Sequence, residues 1–483
     1  MDIKKLLYNL PEVRRPTEKK LGFNVKLKWT LIVLAAFFIL ANISLYGLGK
    51  NSLERFEYLA TILGTDFGSI ISLGIGPIVM ASIILQLLVG SGLISIDTNT
   101  SEGKKLFQGI QKVGVFVFII FESLVYVVMG GLQPMIDPAT GQAYFGLMPL
   151  LIFQLMLGGL AIVFMDEVTT KWGLGSGTSL FIVAGVAWRI VAGLFQFISP
   201  SVGLSTTQTN CLLHFTGENS VQCSGKILVI LQSITNSGQG DPTAIISAAS
   251  AILATVLIFS VVVWAQNLKV EIPLSYERIR GYSIKWPLQF FYASVIQVIL
   301  VAALVANLQL FGGLLQNWVG HPTILGNYQD GRAVSGFGFW ISSTNVLDSL
   351  INGSLSTAQI LRALTHILFF MIFSAIFAVL WVKTSGMDES SQAKKMLSSG
   401  LQIPGFRKDE RVLESILKRY IMPLTVMGGL AIGALSSMAD FLGALTSGTA
   451  ILLAVMITYQ LYQNIAQQHA MDMHPALKKV IGG

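Results

Sequence analysis

The stretch LGIGPIVMASIILQLLVG, residues 73–90, decides how this chain is organised. It is apolar throughout, but Gly74, Gly76 and Pro77 stand at its start, and proline and glycine both interrupt a helix that approaches from the N-terminal side. A helix over residues 77–89 is only about 20 Å long, whereas the hydrocarbon core of a bilayer is about 30 Å thick. We therefore expect this helix to begin partway through a membrane. Non-helical backbone at that depth is tolerated only inside protein or beside a water-filled cavity, so the stretch predicts a pathway through the protein.

The composition is that of a polytopic helical membrane protein. Of the 483 residues, 53% are hydrophobic and only 12% are charged, whereas soluble domains carry about 25% charged residues. The apolar runs are long enough for transmembrane helices, and they lack the alternation that a β-barrel requires. The predicted spans are about 27–46, 75–89, 109–131, 146–165, 175–198, 245–266, 287–310, 358–382, 420–438 and 447–465.

The basic residues predict one orientation. Most of the 32 Lys and Arg residues fall in the N-terminal tail, in the C-terminal tail and in the loops after even-numbered spans, and cytoplasmic loops carry such an excess. An even number of spans places both termini on that side, so both are expected in the cytoplasm. Multi-span transport proteins often consist of two inverted halves with the pathway between them, although no residue-level repeat is evident here. The expected segments are a basic tail (1–26), a first half of five spans (27–198), an external loop (199–244), a second half of five spans (245–465) with cytoplasmic loops 267–286 and 383–419, and a C-terminal tail (466–483).

Few residues suggest chemistry. The ionisable groups within or beside the spans are Glu122, Arg189, His366 and Asp440, which is fewer than the relay of an ion-coupled transporter usually contains. The histidines lack metal-ligand spacing, and GLGSGTSLFI at 173–182 lacks the Lys-Ser/Thr pair of a phosphate-binding loop. We therefore expect no enzymatic activity, no cofactor and no metal.

The two cysteines, Cys211 and Cys223, both fall in the long loop that the orientation places outside. A disulfide can persist there, and two free thiols are the alternative. The tail also leaves two alternatives open, because Ile3, Leu6, Leu7 and Leu10 share one helical face. It could lie on the membrane surface as a helix or remain disordered.

Several motifs together resemble the SecY family, the channel-forming subunit of the protein translocon, in its archaeal and eukaryotic branch. They are LGIGPIVMASIILQLLVGSG (73–92), FQGIQK (107–112), the GLGSG helix start at 173, VEIPL (270–274) and GFRK (405–408), and the resemblance runs the whole length of the chain. It implies an all-α protein of ten transmembrane helices in two pseudo-symmetric inverted halves around an hourglass pore. It also implies a ring of apolar side chains at the waist of that pore. Carried over by motif, the ring consists of Ile75, Val79, Thr178, Ile182, Ile296 and Leu453, where Thr178 departs from the usual bulky aliphatic residue.

The resemblance also implies a plug and a lateral gate. The plug corresponds to residues 53–72, where Phe56, Leu59, Ala60 and Leu63 fall at helical spacing, although spacing alone is equally compatible with an interfacial helix. The gate lies between the second and third spans on one side and the seventh and eighth on the other. Its candidate residues are Ile83, Gln86, Leu87 and Val295, and the family often has a polar residue at the position of Val295.

The two basic cytoplasmic loops match the family's ribosome-docking loops, with Arg278, Arg280, Arg407 and Lys408 as the expected contacts. Arginine suits this role because its planar guanidinium engages phosphate at two points, although any cytoplasmic loop is basic. The other implied partners are a small single-span SecE/gamma-type subunit, a Sec-beta-type subunit, signal sequences, nascent chains and the lipid bilayer. The expected location is the plasma membrane of an archaeon.

The function implied is a channel that conducts unfolded secretory polypeptides and releases hydrophobic segments sideways into lipid. The main alternative is a secondary transporter of small solutes, which shares inverted halves and broken helices but needs a solute site near the midplane. A small-ion channel would need a polar filter, and a membrane scaffold would not need a helix that begins at half depth.

Overall fold

The chain is described by a computed structural model. It describes residues 11–17, 21–51, 67–90, 93–94, 96, 100–135, 145–199, 209–211, 223–235, 242–276, 283–293, 296–329, 332–398, 401–402 and 409–473. The fold is all-α, with short strands confined to the connections. The helices are α1 (Phe23–Ala41), α2 (Gly76–Gly90), α3 (Ser101–Val128), α4 (Met148–Trp172), α5 (Gly177–Phe195), α6 (Lys226–Thr235), α7 (Pro242–Gln266), α8 (Ile296–Val319), α9 (Phe337–Ile341), α10 (Val346–Ile351), α11 (Thr357–Thr384), α12 (Glu389–Ser398), α13 (Glu410–Phe441) and α14 (Gly448–Met473).

Nine helices in the described part of the chain are long and apolar enough to cross a membrane. The tenth span is α2, whose 15 residues reach only about 22 Å. The prediction of a short second helix preceded by irregular backbone is therefore confirmed. Polar caps mark several helix starts: the Thr100 side chain accepts a hydrogen bond from Gly103 N at the start of α3, and Ser356 and Gln359 form a capping box at α11.

Several predicted boundaries were wrong by seven residues or more, and two of them change the expected cytoplasmic loops. The seventh span was expected from residue 287, but α8 begins at Ile296 because the preceding residues form a β-strand. This strand, β6 (Ser283–Gln289), pairs antiparallel with β5 (Lys269–Tyr276). The ninth span was expected from residue 420, but α13 begins ten residues earlier, so part of the expected basic loop is helical.

The remaining strands are short and lie in the loops. Strand β1 (Leu48–Asn51) pairs with β2 (Leu132–Pro134), β3 (Ile198–Ser199) with β4 (Thr209–Asn210), and β7 (Asn327–Gln329) with β8 (Arg332–Ser335). Strand β9 (Leu401–Gln402) adds to the free edge of β5 and gives a three-stranded sheet in the order β6-β5-β9. In the long loop between α5 and α7, Cys211 and Cys223 form a disulfide.

The core consists of large apolar clusters between the helices. One contains buried residues of α1, α2, α5, α7, α8, α11, α13 and α14, and it therefore joins the two expected halves. A second packs α3 and α4 against the C-terminal half of α8, through residues such as Ile119, Leu155 and Leu310. The irregular segment before α2 lies at the junction of both, since Ile75 belongs to the first cluster and Leu73 to the second.

Candidate functional site

The backbone that leads into α2 is buried in protein at every step. Ile71, Leu73 and Ile75 have no exposed surface, and Gly74 adopts a positive φ of 52°. Helix α4 approaches this backbone closely at Gly158, where an added Cβ would lie 1.8 Å from the carbonyl oxygen of Ile70. The irregular segment is thus enclosed by neighbouring helices, as backbone within a membrane must be.

Five of the six residues expected in the apolar ring meet in a single hydrophobic cluster. Ile75, Val79, Ile182 and Leu453 are buried members of it, and Ile296 packs against it from the first position of α8. They come from α2 with its approach, from α5, from α8 and from α14, so four separate parts of the chain contribute to the same apolar cluster. Thr178 is half-buried at the second position of α5, and its hydroxyl lies 2.6 Å from the Ser176 hydroxyl.

Helices α5 and α14 begin in the same way, which the sequence analysis missed. Each opens with the tripeptide Ser-Gly-Thr, at 176–178 and at 447–449, and a ring residue follows the glycine by five positions in both. In each case a carboxylate of the preceding helix accepts a hydrogen bond at the new N-terminus: Asp166 Oδ1 from Thr178 N at 2.8 Å, and Asp440 Oδ1 from Gly448 N at 2.6 Å. The shared tripeptide was the available signal, whereas the partner carboxylates sit at different distances upstream.

Three of the buried polar side chains within the described spans are ionisable: Glu122, His366 and Asp440. Glu122 on α3 is 1% exposed, and its carboxylate faces Gly76 at the start of α2. Neither of its oxygens has a hydrogen-bond partner within the described part of the chain. His366 on α11 lies 3.4 Å from Asp440, measured from Nε2 to Oδ2, and its Nδ1 is 2.7 Å from the carbonyl oxygen of Ile341. No group of three or more potential metal ligands occurs among the described residues.

Three of the four candidate gate residues, Ile83, Gln86 and Leu87, lie on α2, a helix that touches both sides of the expected gate. Helix α2 packs against α3, α8 and α11. Ile83 and Gln86 are buried, whereas Leu87 is 40% exposed. Val295 lies outside the described residues.

The plug and loop residues singled out from the sequence are not described. Phe56, Leu59, Ala60 and Leu63 lie outside the described ranges, as do Arg278, Arg280, Arg407 and Lys408. The strands beside the two basic loops are nevertheless neighbours, since Ser275 and Tyr276 of β5 pair with Gln402 and Leu401 of β9. The segments that lead to residues 277–282 and 403–408 therefore start from one sheet.

On the opposite side of the protein from that sheet, a polar cavity of about 440 Å³ opens between α5 and the junction of α13 with α14. The cavity is lined by Arg189, Gln196, Asn345, Asp440, Thr446 and Ser447, among others.

Comparison with known proteins gives one consistent result. The SecY family model matches residues 69–462. The protein translocase subunit SecY of Methanothermobacter thermautotrophicus is 40% identical over 481 residues, which cover 98% of this chain and 97% of the relative. A solved structure of a protein-conducting channel aligns with a TM-score of 0.79 at 35% identity and covers 99% of this chain and 100% of that chain. Sec61 of the canine ribosome-channel complex from the endoplasmic reticulum aligns with a TM-score of 0.77 at 34% identity, with coverage of 99% and 100%. This chain, with its broken second helix and its convergent apolar cluster, belongs to the SecY family.

Proposed function

We propose that this chain is the pore-forming subunit of a Sec protein translocation channel, and that Ile75, Val79, Thr178, Ile182, Ile296 and Leu453 form its constriction. The observation that carries the proposal is that Ile75 and Val79, at the start of a helix too short to cross a bilayer, belong with Ile182 and Leu453 to one buried apolar cluster. A helix of this length begins partway through a bilayer, and non-helical backbone at that depth is typical of proteins with a pathway across the membrane.

An apolar constriction would act as a gate without a polar filter. A narrow ring of aliphatic side chains disfavours a continuous file of water, so it blocks ions by dewetting. An extended polypeptide pushed through the ring would fill it and keep ions excluded. The driving force must then come from outside this chain, from the ribosome during synthesis or from a separate motor.

The lateral gate would sort segments by hydrophobicity. We place it between α2 and α3 on one side and α8 and α11 on the other, with Ile83, Gln86, Leu87 and Val295 along the opening. A hydrophobic segment of about 20 residues gains free energy by leaving water for lipid, so it would exit sideways when the gate parts. Polar segments would continue through the pore. Residues 53–72, with Phe56, Leu59, Ala60 and Leu63, would serve as the plug of the idle channel.

The orientation and the partners follow from charge and family. The excess of Lys and Arg in the tails and in the loops after α7 and α11 supports cytoplasmic termini, and the archaeal relative supports the plasma membrane as the location. The sheet β6-β5-β9 would present Arg278, Arg280, Arg407 and Lys408 to a ribosome, as the likeness to ribosome-bound Sec61 suggests. A SecE/gamma-type subunit and a Sec-beta-type subunit would complete the complex. This chain would itself consist of two halves, at about 27–198 and 245–465.

Charging the ring tests the proposal. We expect Ile182→Asp or Ile75→Asp to raise the ion conductance of the idle channel in planar bilayers, because a carboxylate holds water at the constriction. Val191→Asp is the matched control, since Val191 lies on the same helix as Ile182 but is 53% exposed on its surface. If both ring variants leave the idle conductance at the level of the control, these residues do not form the constriction.

A further inference from the structure

Two helices that carry ring residues begin against a carboxylate of the helix before them. Helix α5 brings Ile182 to the cluster and α14 brings Leu453, and the two helices pack against each other. They run antiparallel, because a Cβ added to Gly193, near the end of α5, would lie 3.8 Å from the carbonyl oxygen of Leu445, just before α14. They therefore begin at opposite faces of the protein. The level at which each helix begins sets the level of its ring residue, and Ile182 and Leu453 must lie at the same level to meet.

The start of α5 is held by Asp166 of α4. Its Oδ1 accepts a hydrogen bond from Thr178 N at 2.8 Å, and the Gly177 amide also donates to this carboxylate. Gly177 allows the approach, because a Cβ there would lie 2.6 Å from the Asp166 Cα. The backbone of α5 is thus in direct contact with α4 at the residue pair that opens the helix.

The start of α14 is held in the same manner by Asp440 of α13. Its Oδ1 accepts a hydrogen bond from Gly448 N at 2.6 Å, and a Cβ at Gly448 would lie 1.9 Å from the Ser436 carbonyl oxygen. The second oxygen, Oδ2, faces His366 Nε2 of α11 at 3.4 Å. This carboxylate therefore ties α14 to α13 and lies beside a third helix.

We propose that Asp166 and Asp440 are positioning residues for the pore constriction, which fix the depths of α5 and α14 so that Ile182 and Leu453 close against each other. In both helices the ring residue follows the capped glycine by five positions, a rise of about 7.5 Å. A carboxylate at a helix N-terminus satisfies amides that have no partner within the helix and interacts favourably with the positive end of its dipole. The inference rests on the proposed function, because it assumes that Ile182 and Leu453 line the constriction.

The test measures the idle conductance of the reconstituted complex for Asp166→Leu, Asp440→Leu and the corresponding Asn variants. Leucine removes the acceptor and keeps the branch at Cγ with the same number of side-chain heavy atoms, whereas asparagine keeps an oxygen that can accept the same hydrogen bond. Loss of a helix cap changes a conformational equilibrium by about fivefold, so we expect about fivefold more idle conductance from the Leu variants and near-normal conductance from the Asn variants. Asp388→Leu is the matched control, because Asp388 accepts a hydrogen bond from Ser391 N at the start of α12, a helix without a ring residue.

The outcomes separate this inference from the proposed function. Suppose that Ile182→Asp raises the idle conductance, but that the assembled Asp166→Leu and Asp440→Leu variants conduct no more than the control. The proposed constriction is then supported and the positioning role is wrong. Asn variants that leak as much as the Leu variants would also overturn it, since the acceptor would then not matter. If a Leu variant does not assemble, Asp166→Glu and Asp440→Glu replace it: the longer side chain shifts the capped amide, so these variants are expected to leak, and tight channels would contradict the inference. If Ile182→Asp itself does not leak, the constriction is misassigned and the positioning role fails with it.

Discussion

Gly158 allows α4 to lie directly against the backbone that leads into α2, because it has no Cβ. Its Cα lies against the Ile70 carbonyl, and an added Cβ would lie 1.8 Å from that oxygen and 2.8 Å from its carbon. Neither atom belongs to a flexible side chain, so the clash can be relieved only by moving α4 away from the approach to α2. Ile71 follows Ile70 directly, and Ile75 lies four residues further on, just before α2. We therefore expect this contact to fix the position at which α2 begins.

We therefore predict that Gly158→Ala destabilises the solubilised protein by at least the about 1–3 kcal/mol typical of overpacking. The measurement is the melting temperature of the purified complex, followed by the loss of its monodisperse peak in size-exclusion chromatography after heating. Gly146→Ala is the matched control, since Gly146 lies just before the same helix and a Cβ added there would have no atom within 4 Å. Equal melting temperatures for the two variants would show that the contact at Ile70 is not constrained.

At the scale of elements, residues 11–14 form a strap across α3 and the C-terminal end of α4. Val13 N donates to Glu167 Oε2 at 2.8 Å, while Lys171 Nζ donates to Glu12 Oε1 at 2.6 Å and to the Val13 carbonyl at 2.7 Å. Lys112 of α3 pairs with Glu167 of α4 beneath the strap. The hydrogen bond from Lys171 is the main cause that lowers the pKa of Glu12 below its ordinary value.

We predict that Lys171→Met releases the strap. A spin label on a cysteine at position 17 reports this, because the two native cysteines are joined in a disulfide and take no label. Label mobility should rise in Lys171→Met and stay unchanged in Lys104→Met, which alters a lysine on the first turn of α3. In the unsubstituted protein the contact is complete above the ordinary pKa of a glutamate and is lost as the pH falls through the lowered value, so mobility should rise on acidification. Constant mobility in both experiments would mean that Lys171 does not hold the strap.

At the scale of the whole molecule, the span pattern could be predicted from the sequence and the contacts between distant segments could not. Hydropathy and the Gly-Pro interruption sufficed for ten spans and for the short α2, since both signals are local. The start of α8 was placed nine residues too early because the apolar side chains of β6 resemble the beginning of a helix. The strand that pairs with β6 belongs to a separate segment, so hydropathy within the span could not reveal it. The carboxylate caps were missed because Asp166 and Asp440 lie 11 and 8 residues before the glycines that they face.

The sheet β6-β5-β9 unites two loops that are more than 100 residues apart in the sequence. Because β5 pairs with both neighbours, the basic segments that follow β5 and β9 are carried by one body and should meet the same phosphate-rich surface. We therefore predict that Arg407→Glu and Arg280→Glu each weaken ribosome binding, and that each lowers the slope of log affinity against log salt by about one.

Co-sedimentation with ribosomes over a series of salt concentrations measures both quantities. Lys226→Glu is the matched control, because it makes the same charge change at the start of α6, in the loop on the opposite side of the protein. A non-specific loss of positive charge would affect all three variants alike, since the net charge of +7 falls equally in each. A docking surface built on one sheet instead predicts that only the two loop variants lose affinity. If Arg407→Glu binds as tightly as Lys226→Glu at every salt concentration, the loop after β9 does not contact the ribosome, and the shared sheet has only a structural role.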